Sequence, residues 1–148
     1  MDFRYATTDD IPTLVKFRNK LLIDEGLEPN VNIDQDVEQY FKNRFNDGSL
    51  IQLVVEDEGE IIATGGVVIY ELPPSFTNKT GKKAYIANMY TKGEYRGRGI
   101  AKTILTKLLD EVRTLGITKC FLLASDMGKP LYKKFGFKET EAYMELDL

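Results

Sequence analysis

The hydrophobic period shifts along the chain, and each shift marks a different kind of element. Phe3 to Ala6 fits a short first strand. From there to Ile23, Ile11, Leu14, Val15, Leu21 and Leu22 recur at helical spacing, and Arg18 falls on the same stripe. Thr8 or Asp9 can cap this helix, Pro12 suits its first turn, and Asp24-Glu25-Gly26 breaks it. A second helix is predicted from about Ile33 to Phe45, with Val37, Tyr40, Phe41 and Phe45 on one face. The period then drops to that of strands. Leu50–Glu56 and Glu60–Glu71 flank the turn Asp57-Glu58-Gly59 and read as a β-hairpin. Leu72–Gly81, with Pro73, Pro74, Asn78 and Gly81, is a loop, and Lys82–Lys92 is a third middle strand.

The second half begins with a glycine-rich basic turn, Gly93 to Gly99. Behind it Ile100, Ile104, Leu105, Leu108, Leu109 and Val112 form the clearest amphipathic stripe in the chain, ended by Leu115-Gly116. Ile117–Ala124 is a near-continuous apolar run, the pattern of a strand buried on both faces. Met127–Phe135 reads as a short helix stopped by Gly136, and Phe137–Leu146 as a final strand. The order is βαα, three strands, then αβαβ. It predicts an α+β fold with a mixed, mostly antiparallel sheet flanked by helices. No repeat, linker or low-complexity segment interrupts it, so residues 1–148 are expected to form one domain.

Composition narrows the chemistry. The chain has no histidine, which excludes Ser–His–Asp and Cys–His centres and His-ligated zinc or haem. Acid–base work must fall to carboxylates, Lys, Tyr, Cys or water. The formal net charge of −3 argues against nucleic acid as the main partner. Cys120 is the only cysteine; it sits in an apolar run and reads as a core residue, with no disulfide partner and no metal-binding spacing. Met1-Asp2-Phe3-Arg4 has no apolar signal core, and no run approaches the roughly 18 apolar residues of a membrane span. A cytoplasmic protein without membrane or metal partners is expected.

The strongest chemical signal is Tyr95-Arg96-Gly97-Arg98-Gly99-Ile100-Ala101, where a strand passes through a tight turn into a helix. Glycines there let backbone N–H groups converge on an anion at the positive helix end, and Arg96 and Arg98 add charge suited to a phosphate. A solvated basic turn is the plainer alternative. A Rossmann fingerprint would need a third glycine where Lys102 stands, and the Walker pattern is absent.

Arg96-Gly97-Arg98-Gly99-Ile100-Ala101 resembles the [Q/R]-x-x-G-x-[G/A] acetyl-CoA loop of the GNAT-type N-acetyltransferases. A second segment, Ser125 to Phe137, resembles that family's N-x-x-A-x-x-L-Y-x-x-x-G-F. Leu131, Tyr132, Gly136 and Phe137 match; Ser125 replaces Asn and Gly128 replaces Ala. The Arg4 to Ile11 stretch also looks like the family's opening strand and helix, so the resemblance covers essentially the whole chain. It implies a GNAT-like fold and acetyl-CoA as co-substrate. It implies that the amides of the loop Arg96–Ala101 hold the pyrophosphate and that Met89, Tyr90 and Thr91 pair with pantetheine, with Ser125 a weaker contact. It assigns Tyr132 as general acid to the departing thiolate. A phenol and an alkyl thiol have similar pKa values near 10, which suits that transfer. A backbone N–H near Tyr90 would stabilise the oxyanion.

The base must be a carboxylate, water or solvent. Glu25, in the loop after the first helix, is the candidate, with Asp24 beside it. Asn88 faces the same cleft only in one strand register. The acceptor would be a primary amine on a small molecule or peptide. The variable loops 24–32 and 72–81 are expected to face it, and Asp24, Glu25 and Glu28 favour a cationic amine. Homodimers are expected by resemblance alone. The competing functions are a catalytically inactive acyl-CoA sensor and a nucleotide-phosphate-binding module.

Overall fold

A computed structural model describes residues 1–148 and gathers five of the six predicted strands into one sheet, ordered β1-β2-β3-β4-β5. β1 (Asp2–Tyr5), β2 (Leu50–Asp57), β3 (Glu60–Glu71) and β4 (Lys82–Thr91) are antiparallel neighbours; β5 (Cys120–Phe121) joins β4 in parallel. The helices are α1 (Ile11–Asp24), α2 (Asp34–Asp47), α3 (Ile100–Thr114) and the short α4 (Lys129–Lys134). A parallel pair needs a crossover, and α3 supplies it.

Strand alternation sorts the apolar side chains to two faces. Leu50 and Val54 of β2 and Val68 of β3 pack against Ile11 and Leu14 of α1 and Phe41 of α2. Leu53, Val55, Ile62, Ala63 and Val67 turn the other way, onto Ile104, Leu105 and Leu108 of α3. Those three α3 residues are fully buried, each worth about 1.5–3 kcal/mol of transfer free energy. The start of α1 is tied to the sheet by Arg4. Its guanidinium donates to both Asp10 carboxylate oxygens at 2.8 and 2.9 Å and to Glu56 on β2.

Two expected strands differ. Ile117–Ala124 is not buried on both faces: only Cys120 and Phe121 pair with β4, and Leu123 is 63% exposed. β5 is the edge of the sheet, and after Phe121 the run leaves β4, so its later side chains lie outside the sheet's covered faces. Phe137–Leu146 joins no ladder, and Met144 and Leu146 are exposed. Alternation makes a strand only where an edge accepts its backbone.

Two irregularities position the site. β5 pairs only with Ala84 and Tyr85, so the β4 edge from Ile86 to Thr91 has no strand neighbour on that side. In addition, β4 bulges against β3. Thr64 faces Tyr90 and Gly66 faces Ala87, so Asn88 and Met89 together oppose Gly65. Asn88 has φ 58°, and the bulge puts Ala87 and Asn88 on the same α1-facing side. Gly66 makes room there: a Cβ on it would fall 2.1 Å from the Gln52 side-chain oxygen.

Candidate active site

A cleft of about 930 Å³ opens where β4 leaves β5 behind, bounded by the end of β4, the glycine turn, the first turn of α3 and residues 123–132. Gly97 and Gly99 have φ 78° and 79°, and a Cβ on either would meet nothing within 4 Å. The left-handed backbone, not crowding, favours glycine there. None of the backbone N–H groups from Gly97 to Lys102 donates within the chain. These free donors sit at the positive end of a 15-residue helix, an arrangement that binds phosphates.

The two arginines of the turn are engaged. Arg96 donates through Nε to the Thr91 carbonyl at 2.9 Å, pairs with Asp24 at 3.0 Å, and lies over the Tyr90 ring. It lines the cleft while clamping the end of β4 to the end of α1. Arg98 donates to the Glu94 carbonyl, stacks on Tyr95 and does not line the cleft. Lys102, which replaces the Rossmann glycine, lines the cleft with no ion-pair partner. Met89, Tyr90, Thr91, Gly97, Gly99, Ile100, Ala101 and Ser125 also line it.

A second cavity, about 700 Å³, lies on the α1–α2 face of β4. Its walls are largely apolar and aromatic, including Val37, Tyr40, Phe41, Val68 and Tyr85. Arg18, Glu25, Asp36 and Asn88 bring polar groups to it. Loop 72–81 lines neither cavity, and Asp24 is tied to Arg96. Of the acidic residues expected to face an acceptor, Glu25 is the one that does.

The two cavities share a wall formed by Leu21, Glu25, Met89, Leu123, Ser125 and Tyr132. Tyr132, on α4, stands edge-on to Phe137 with centroids 5.9 Å apart. Burial, then the negative charge of Glu25, raises its pKa above the ordinary 10.0, so the phenol stays protonated. Gly128 leaves space for the ring: a Cβ there would fall 2.9 Å from Tyr132 Cε2 and 3.3 Å from Ser125 Oγ. The Ser125 hydroxyl accepts the Gly128 N–H at 3.2 Å. Its own proton has no acceptor in the chain and can donate to a ligand carbonyl. Cys120 lines neither cavity, and burial pushes its thiol up to about 11.

An anion cradle on a splayed strand, opening onto a pocket past a protonated tyrosine, defines a site that can place a phosphate-bearing acyl carrier beside a second substrate. The acetyltransferase (GNAT) family model matches residues 19–137. The structure superposes with TM-score 0.96 on a predicted acetyltransferase solved with acetyl-CoA from Clostridium acetobutylicum. The two are 43% identical, covering 99% of this chain and 95% of that one. It matches a GCN5-related N-acetyltransferase from Ralstonia eutropha with TM-score 0.91 and 26% identity, covering 99% and 97%. A glucosamine 6-phosphate N-acetyltransferase of Trypanosoma brucei brucei is 31% identical over 90 residues. That match covers 61% of this chain and 59% of the relative. The chain belongs to the GNAT family, whose members are acetyl-CoA-dependent N-acetyltransferases.

Sequence reasoning missed most of the second cavity. Arg18 did carry a signal: a cation on the apolar stripe of a helix has either a partner or a job. Tyr40, Phe41 and Tyr85 carried none, because aromatic residues at those spacings are ordinary core.

Proposed function

We propose that this chain transfers the acetyl group of acetyl-CoA to a primary amine by direct attack in a ternary complex. The shared wall carries this reading, because it puts one protonated phenol within reach of both cavities. In this reading the amides of Gly97–Lys102 hold the pyrophosphate and the free edge of β4 at Met89–Thr91 pairs with pantetheine. Ser125 donates to a pantetheine carbonyl, and the acetyl group lies at the bulge.

The amine nitrogen forms a bond to the thioester carbon and the C–S bond breaks. The oxyanion is met by backbone N–H groups of the bulge near Tyr90. Tyr132 gives its proton to the leaving thiolate and recovers one from solvent. Glu25, directly or through water, takes the proton that the amine loses. The Cys120 thiol, protonated and outside both cavities, supports transfer without an acetyl-enzyme. Steady-state release of CoA thiol from acetyl-CoA and an amine panel tests the proposal. Turnover above hydrolysis is expected. Tight CoA binding without turnover would favour the inactive sensor, and tighter binding of ATP than of CoA would favour a nucleotide module.

The same reading takes residues 1–148 as one domain and the protein as cytoplasmic, where CoA thioesters are made, in keeping with its single thiol. It includes a homodimer formed through the open β5 edge, supported by the partly exposed Phe121. Sedimentation at micromolar concentration tests the dimer.

A further inference from the structure

Arg18 lines the second cavity only, not the acetyl-CoA cleft. It makes no ion pair in the chain. Its one polar contact is to Asn88 Oδ1, at 3.4 Å. That asparagine is held in turn: its amide donates to Gln52 Oε1 at 3.5 Å, and Gln52 donates to Thr64 Oγ1 at 2.7 Å. The Thr64 hydroxyl donates to the Leu53 carbonyl at 2.6 Å. Gln52, Thr64 and Asn88 are all at least nine-tenths buried. A relay of this kind under a strand bulge holds Asn88 beside the guanidinium, which keeps most of its donors unused in a largely apolar pocket.

The opposite charge follows two turns later, where α1 ends. Glu25 is the residue that closes α1, seven positions after Arg18, so their backbones are about 10 Å apart along the axis, a gap that two long side chains can bridge to one small ligand. Glu25 is the end next to Tyr132, whose phenol feels its charge. Like Arg18, it has no ion pair. Val37, Tyr40, Phe41 and Tyr85 line the same pocket, and Asp36 is its other acidic residue. A cation and an anion that do not pair with each other, the anion beside the reacting group, in a pocket with largely apolar walls, match a zwitterion with an apolar substituent. A polyamine leaves Arg18 unpaired, and a sugar phosphate puts hydroxyls against aromatic walls.

Building on the acetyltransferase reading, we infer that the acceptor is an α-amino acid with an apolar or aromatic side chain, its carboxylate held by Arg18 and its amine directed to Glu25 and Tyr132. The product is the N-acetyl amino acid. The N–C bond forms as the thioester C–S bond breaks, CoA leaves as the thiol, and one proton passes to Glu25 or solvent.

The test compares kcat/KM for phenylalanine and for 2-phenylethylamine, which lacks only the carboxylate, at one pH and corrected for the fraction of neutral amine. Glucosamine 6-phosphate and spermidine are run alongside. A charge-assisted hydrogen bond is worth roughly 10- to 100-fold, so phenylalanine should exceed the decarboxylated amine by at least about 10-fold. Arg18→Ala should erase that ratio, and Arg18→Lys should restore part of it. Equal rates for the two amines, an unchanged ratio in Arg18→Ala, or a higher kcat/KM for glucosamine 6-phosphate or spermidine would overturn the inference. A direct measurement on the unmodified protein guards against misfolding of the variants. Calorimetry on the CoA complex should show N-acetylphenylalanine binding at least about 10-fold tighter than N-(2-phenylethyl)acetamide; equal affinities would overturn the inference. Failure of acetyl-CoA to bind at all would instead overturn the acetyltransferase reading beneath it.

Discussion

Along the first cleft the unpaired donors at the helix start are backbone N–H groups from one continuous stretch, Gly97 to Lys102. Around the second pocket they are side chains drawn from α1, α2, β4 and the segment 123–132. The difference decides what each can tolerate. A backbone cradle depends on φ and ψ, so it survives many side-chain changes and fails when the turn is forced out of shape. A side-chain pocket keeps its shape through the core behind it, and single substitutions retune it. One site can thus keep its donor constant while its acceptor changes. The residues on the common wall, Tyr132 above all, belong to neither regime and should matter to both.

The largest effect is expected there. Tyr132→Phe removes the acid and leaves the ring, so kcat should fall about 10²-fold or more while the KM for acetyl-CoA stays within about threefold. Gly128→Ala comes next. Its new methyl lies too close to the Tyr132 ring, which must move. A displaced catalytic group of this kind should lower kcat about 10-fold, and Gly128→Ser no less. If both variants match the parent, the wall is not where chemistry occurs.

Smaller effects should divide cleanly between the cavities. Gly99→Ala puts a Cβ on a left-handed residue with open space around it, a strain of about 1–2 kcal/mol. It should raise the KM for acetyl-CoA roughly 5- to 10-fold and leave the order of preference among amines unchanged. Arg96→Ala loosens the clamp between Thr91 and Asp24. That pair is partly exposed and worth under about 1 kcal/mol, so the KM should rise only two- to threefold. A reversal of these two sizes would mean that the guanidinium, not the amide cradle, holds the phosphates. The pH profile gives the smallest signal. The raised pKa of Tyr132 keeps the acid form dominant up to and beyond the ordinary 10.0. The tyrosine therefore contributes no alkaline fall in kcat below about pH 10. The same shift favours the folded state below pH 10.0, a contribution lost as pH rises through the higher folded value.

The cleft was legible in the sequence because its motif is local. A glycine turn between a strand and an amphipathic helix needs only neighbouring residues to declare itself. The hairpin followed from period in the same way, whereas the cap did not: Thr7 and Asp10 form the capping box, not Thr8 or Asp9, because Thr8–Asp10 is a separate 3-10 turn before α1. The bulge at Asn88 was not legible, since it exists only as a mismatch between β3 and β4. Arg96 and Arg98 looked like free positive charge, yet both are engaged within the fold. Asp24 shared the acidic loop with Glu25 but turned to Arg96. The tail after Phe137 has the alternation of a strand and no ladder. Each of these outcomes depends on a partner far away in the chain, which local pattern does not contain.

Direct transfer across the shared wall is the claim on which the rest depends, and initial-rate kinetics test it most directly. Varying acetyl-CoA at several fixed amine concentrations should give intersecting double-reciprocal lines, with no burst of CoA when the amine is omitted. Parallel lines with a stoichiometric burst, and an acetyl group recovered on Cys120, would contradict it.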